Sequence, residues 1–152
     1  MTSVISGVRI PDSKLAREAA ELVRSCENEM LFNHSVRVYV FGAIKGFRQK
    51  LKFDSELLYI AALFHDLGLV DHYHSETKRF EVDGADAARE FLITHGIAQP
   101  KADLVWEAIA LHTPRPEFHN TCGRKSLSPT QGFWWTSWEL DMTTTRRSNA
   151  TR

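Results

Sequence analysis

The segment ELLYIAALFHDL, residues 56–67, constrains the fold more than any other stretch of this chain. It is apolar nearly all round, so as a helix it has no face to give to water and belongs at the centre of a bundle. Asp54 or Ser55 supplies its cap, and Gly68 its stop as a left-handed C-cap. Ser13 caps LAREAAELV, in which Leu15, Ala19, Leu22 and Val23 form one stripe. From Asn33 to about Lys50, Val36, Val40, Phe41, Ile44 and Phe47 give a second stripe, weakened at Gly42 and Gly46. Asp83 opens GADAAREFLITH, which Gly96 closes. Pro100 begins KADLVWEAIALHT, where Val105, Ile109 and His112 share a face. Period-2 alternation is nearly absent, and VRVYVF continues the helical spacing of its flanks. The expected fold is all-α, a bundle of about five helices.

Charge and length bound the function. The 152 residues suffice for one domain with a core, not comfortably for two. Nineteen basic and nineteen acidic side chains cancel, which removes the net field that would draw nucleic acid or an anionic membrane. No apolar run approaches the roughly 20 residues of a membrane span, and MTSVISGVRIPDSK lacks the features of a secretory signal. Cys26 and Cys122 lie far apart and make no disulfide framework. A cytoplasmic protein acting on a small molecule, without nucleic-acid or membrane partners, is the expectation. The apolar vocabulary changes abruptly, however. Residues 1–112 hold all sixteen Val and Ile, whereas residues 113–152 hold three of the four Trp, eight Thr and three of the five Pro. The chain therefore divides into a helical domain, 1–112, and an anomalous tail, 113–152.

Chemistry concentrates at the end of the apolar helix. His65-Asp66 terminates a buried stripe, where an unpartnered imidazole or carboxylate is costly. His34 lies in the preceding helical segment, NHSVRVYVFG, and His112 ends a later one. Imidazoles and a carboxylate converging from separate helices are how a bundle holds a divalent metal, and such a metal lowers the pKa of a bound water.

His34 followed about thirty residues later by His65-Asp66 resembles the opening of the H…HD…D signature of the HD-domain metal-dependent hydrolases. NHSVRVYVFG, LLYIAALFHDLGL, RFEVDGADAAREFL and VWEAIALHT are similar to the HD subgroup that includes the cyanamide hydratases. The resemblance implies an HD-domain-like bundle, with His34, His65 and Asp66 as ligands of zinc, iron or manganese. It also implies that Glu81 and His112 face the metal-bound water or the substrate. Phosphate-ester hydrolysis comes first for the family at large, nitrile hydration second, and a non-catalytic or degraded remnant is the third reading. Other polar residues take ordinary roles: Arg37 as an ion-pair partner, Lys78 and Arg79 as solvated charges, Asp83 as a helix cap. His72 and His74 read as loop residues in water, and His95 as a cation at a helix C-terminus.

The family signature ends in an aspartate on a helix after His112, and Asp141, in WELDMTTT, does not fit one. The genetic code supplies an account. If one nucleotide is lost just after Thr113, the original codons start at the third base of each codon now read. Phe133-Trp134-Trp135-Thr136 then forces Leu-Val-Asp, Trp138-Glu139 forces Gly, and Met142-Thr143 forces Asp. The permitted residues around these letters make an apolar segment like the family's last helix. The tail reads as out of frame, and that helix as missing; a lineage-specific disordered tail is the competing reading.

Overall fold

The computed structural model describes residues 3–113, and the readings made for the tail lie outside them. A short antiparallel hairpin pairs β1 (Val4–Ile5) with β2 (Val8–Arg9), Ile5 facing Val8. Gly7 turns the hairpin at a φ of +80°, which suits a residue without Cβ. Two-residue strands are too short to leave an alternation in the sequence. Five helices follow among the described residues: α1 (Lys14–Cys26), α2 (Glu29–Arg48), α3 (Ser55–Phe64), α4 (Phe80–Thr94) and α5 (Gln99–Ala110). A 3-10 turn, Leu67–Leu69, links α3 to the loop before α4.

Caps set most helix starts. Ser13 Oγ accepts the Ala16 N–H at 3.0 Å, and Asp54, rather than Ser55, accepts from Glu56 and Leu57. Asn28 accepts the Leu31 N–H at 2.9 Å, so α2 begins at Glu29, earlier than the apolar stripe from Asn33 indicates. Neither Gly42 nor Gly46 interrupts α2. Gly96, with φ of +77°, ends α4 as expected: its N–H reaches Ile93 O and that of Ile97 reaches Leu92 O.

Every residue of α3 from Leu58 to Phe64 is buried, and α1, α2, α4 and α5 all pack against this helix. That is the central position its composition demands. Two expectations are corrected around its end. Gly68 is no left-handed cap; it lies inside the 3-10 turn, where a Cβ would run into the Phe80 carbonyl oxygen. Its partner is Gly84, whose added Cβ would lie 2.6 Å from Phe64 O. The two glycines let the start of α4 dock on the backbone that follows α3. Asp83 does not cap α4, which starts at Phe80; its carboxylate accepts the Ser75 N–H and Oγ–H at 2.8 Å and so anchors the preceding loop. Trp106 Nε1 donates to Asp86 at 2.8 Å and ties α5 to α4. Among the described residues, no helix is long and apolar enough to cross a membrane.

Candidate metal centre

The backbone stops being α-helical at the HD pair. His65 is the last residue with helical dihedrals and Asp66 opens the 3-10 turn. This corner holds two adjacent side chains at the buried end of α3, and α2 brings His34 to meet them. Asp66 Oδ2 lies 3.1 Å from His65 Nε2 and 3.5 Å from His34 Nε2. One donor atom from each of the three residues falls within 4.8 Å of the others.

Hydrogen bonds at the far side of the rings decide what these imidazoles offer. His65 Nδ1 sits 2.7 Å from the Ala62 carbonyl, which only accepts, so Nδ1 carries a proton; Nε2 is thereby aimed at Asp66, to which it donates when the ring is doubly protonated. His112 repeats the device: Nδ1 is 2.6 Å from Ile109 O, and Nε2 lies 4.0 Å from Asp66 Oδ1. The His34 and His112 rings each stand with their centroids 5.3 Å from that of His65. Two imidazole nitrogens, once they release any Nε2 proton, and a carboxylate are a donor set that suits a divalent transition ion, and the His65 tether is the outer-shell support such ligands use. His34, His65 and Asp66 could hold one ion, while His112 stands against the second carboxylate oxygen.

The electrostatics are those of a tightly coupled group. Burial raises the Asp66 carboxyl, but the hydrogen bond from His65 and the three imidazoles outweigh it and hold the group below its ordinary value. Burial opposes protonation of His65, yet Asp66 pulls its pKa upward. His112 is held down by burial and by His65, and so stays neutral.

Glu81, at the start of α4, is 3% exposed. Its carboxylate accepts from Thr113 Oγ and from Arg79 at 2.5 Å, and Arg79 also donates to Thr113 at 2.6 Å. Burial raises the Glu81 carboxyl, and these hydrogen bonds reverse the shift and keep it ionised. The fold brings Thr113, the residue after His112, to Glu81, so Glu81 is tied to the chain just past the end of α5. Arg79 is thus not a solvated loop charge. Arg37, His72 and His74 are exposed, and His95 caps α4 with Nε2 3.0 Å from Glu18.

Sequence reasoning misses Glu27 and Thr113. Thr113 sits next to an expected site residue, which is a usable signal. Glu27, between α1 and α2, is buried, and among the described residues neither of its carboxylate oxygens is hydrogen-bonded. Desolvation pushes its pKa up to about 7, against the pull of His65 and with the push of Asp66.

Comparison with known proteins agrees with this geometry. The HD domain family matches residues 31–132, a span that holds His34, His65, Asp66, Glu81 and His112 and runs past the last described residue. Two proteins of Saccharomyces cerevisiae strain ATCC 204508 / S288c, cyanamide hydratase DDI2 and cyanamide hydratase DDI3, are each 33% identical to it over 106 residues. That region is 67% of this chain and 47% of each relative, so the chain spans about half the length of the curated relatives it matches. With an all-α bundle, an HD pair closing its central helix and a family match over most of its length, the chain belongs to the HD domain family.

Proposed function

We propose that the chain is a metal-dependent HD-domain enzyme that adds water to a small nitrile-type substrate such as cyanamide. The observation that carries this reading is the convergence of His34 Nε2, His65 Nε2 and the Asp66 carboxylate, in a chain similar to two cyanamide hydratases. A zinc, iron or manganese ion held there would lower the pKa of a bound water and so provide the nucleophile near neutral pH. His112, neutral and with Nε2 turned inward, exchanges protons with water and substrate. Glu81, kept ionised by Arg79 and Thr113, holds the residue that follows His112 and so helps to position that ring. Water adds across the C≡N bond: its oxygen bonds to carbon, its protons end on nitrogen, and urea is the product from cyanamide.

Phosphate-ester hydrolysis ranks second here, although it leads for the family at large. It draws support from the metal site alone, and Arg79, the cation on the α4 side, is already engaged by Glu81 and Thr113. Assays of urea from cyanamide and of phosphate from phosphomonoesters and nucleotides separate the two readings. Urea without phosphate release supports hydration, and the converse overturns it.

We propose as well that the reading frame changes after about Thr113, so that this chain lacks the family's last helix and its aspartate. The forced codons for Leu-Val-Asp and the later Asp support this. Because the family match extends to residue 132, the test is the coding sequence: stops or strongly polar codons in the shifted frame over 114–132 would sink the idea.

A further inference from the structure

His112 lies just past Leu111, the C-cap of α5, where the chain has left the helix that carried it. A proton-exchanging side chain has to be placed to within an ångström, so what holds it there matters. The Ile109 carbonyl accepts both its N–H, at 3.2 Å, and its Nδ1–H, and this local tether sets which way the ring faces. Its distance from Asp66 is a tertiary matter, and three consecutive residues at the start of α4 bear on it. The Phe80 ring stands nearly perpendicular to that of His112, with centroids 5.8 Å apart. Arg79 Nη2 donates to Glu81 Oε1 at 2.5 Å and to Thr113 Oγ at 2.6 Å, and the Thr113 hydroxyl donates to the same Glu81 oxygen. The roles close round this triangle: Arg79 only donates, Glu81 only accepts, and the hydroxyl does one of each. The start of α4 is itself located against the HD corner, since the Phe80 carbonyl crowds the space that a Cβ on Gly68 would need. A path of contacts therefore runs from the 3-10 turn that Asp66 opens, through Gly68 and Phe80, to His112.

We propose that Arg79 is a positioning residue of this site: by closing the triangle with Glu81 and Thr113, it clasps the turn after α5 to the start of α4 and sets how far the His112 ring stands from the His34–His65–Asp66 centre. The proposal rests on the hydration reading for the role of His112. It extends that reading to a side chain that acts only through its neighbours. A guanidinium kept merely to neutralise buried Glu81 would act on stability and leave His112 indifferent. A clasp acts on His112 as well, through Thr113 and independently of the charge on Glu81.

The test uses the 152-residue chain with zinc added and two pairs of variants. Arg79→Met removes the clasp and Arg79→Lys keeps a cation with N–H donors. Thr113→Val removes the hydroxyl while leaving Arg79 paired with Glu81, and Thr113→Ser keeps it. The Arg79 side chain is 35% exposed, so Arg79→Met leaves no sealed cavity, and Thr113→Val preserves shape; the second variant decides where the first does not fold. Nuclear Overhauser cross-peaks from the His112 ring to the rings of Phe80 and His65 are expected in the parent, Arg79→Lys and Thr113→Ser, and weakened in Arg79→Met and Thr113→Val. Zinc per chain should be the same in all. In Arg79→Met and Thr113→Val, kcat for urea formation should fall about tenfold or more with KM held within about twofold. Cross-peaks unmoved in these two variants, or lost equally in Arg79→Lys and Thr113→Ser, overturn the proposal whatever the melting temperatures do. Zinc lost along with them also overturns it, since the clasp would then support the metal ligands and not His112. Urea is scored separately: a parent that makes none defeats the hydration reading while the cross-peaks still decide the clasp, and an unchanged kcat with moved cross-peaks defeats this proposal alone.

Discussion

His65 and His112 are each tied through Nδ1 to the carbonyl three residues back, so each ring is aimed with Nε2 toward Asp66 before any ligand arrives. Removing a ligand and removing a neighbour should therefore differ. His65→Ala and Asp66→Ala are expected to lose metal affinity by roughly a hundredfold or more, at or beyond the upper end of the outer-shell range, read as metal per chain after dialysis. His112→Ala should retain the ion within about tenfold and lose urea formation by about 10²–10⁴, the range for a proton-transfer residue. Loss of the ion in His112→Ala would make it a ligand instead. Glu27 gives a pH prediction for the metal-free chain. Its carboxyl keeps a proton to about 7 in the folded state and releases it near 4.5 when unfolded. Between those values the unfolded chain binds fewer protons, so this group makes stability fall as pH rises through the window. His112, held neutral, works the other way below its ordinary 6.5. Urea denaturation of Glu27→Gln and the parent across that window isolates the Glu27 contribution, and the variant should show the flatter decline.

At the scale of elements, the contact between the HD corner and the start of α4 is backbone against backbone. Gly84→Ala, which ordinarily gains about 0.5–1 kcal/mol inside a helix, should here lose about 1–3 kcal/mol because Phe64 O stands 2.6 Å from the new methyl. The atoms nearest a methyl at Gly46 belong to the ring of Phe53, a side chain that can turn aside, so Gly46→Ala should cost less. A shift in the urea midpoint at constant slope measures both. These elements also mark where the sequence was readable. Ser13, Asp54 and Pro100 announce α1, α3 and α5 because a side chain or a ring acts at each start. The start of α2 was misplaced because Met30, 74% exposed, breaks the stripe just after the Asn28 cap. That of α4 was misplaced because Arg79 offers no side-chain cap, and Asp83, which looks like one, is spent on Ser75. His34, His65 and Asp66 were legible because helical spacing puts them at the ends and faces of buried stripes. Glu27 was not, since nothing local separates it from its exposed neighbour Glu29; only the packing of α1 against α3 does.

For the whole molecule, Leu104 and Leu111 stand exposed seven residues apart along α5 and its cap. A chain restored to the shifted frame after Thr113 is expected to melt roughly 5 °C or more above the parent, since one or two kcal/mol moves a domain of this size by several degrees. It should also hold metal more tightly, by calorimetric titration with zinc. Equal melting temperatures and equal affinities would return the tail to a lineage-specific extension. The imidazole tethers described above bear on how such a molecule decays. The aim of His65 is written in the four residues Ala62–His65, and that of His112 in Ile109–His112. A lesion elsewhere can spread the donors apart without turning them away from one another. Damage to this fold should accordingly be felt as a gradual loosening of grip and not as a single step from holding to empty.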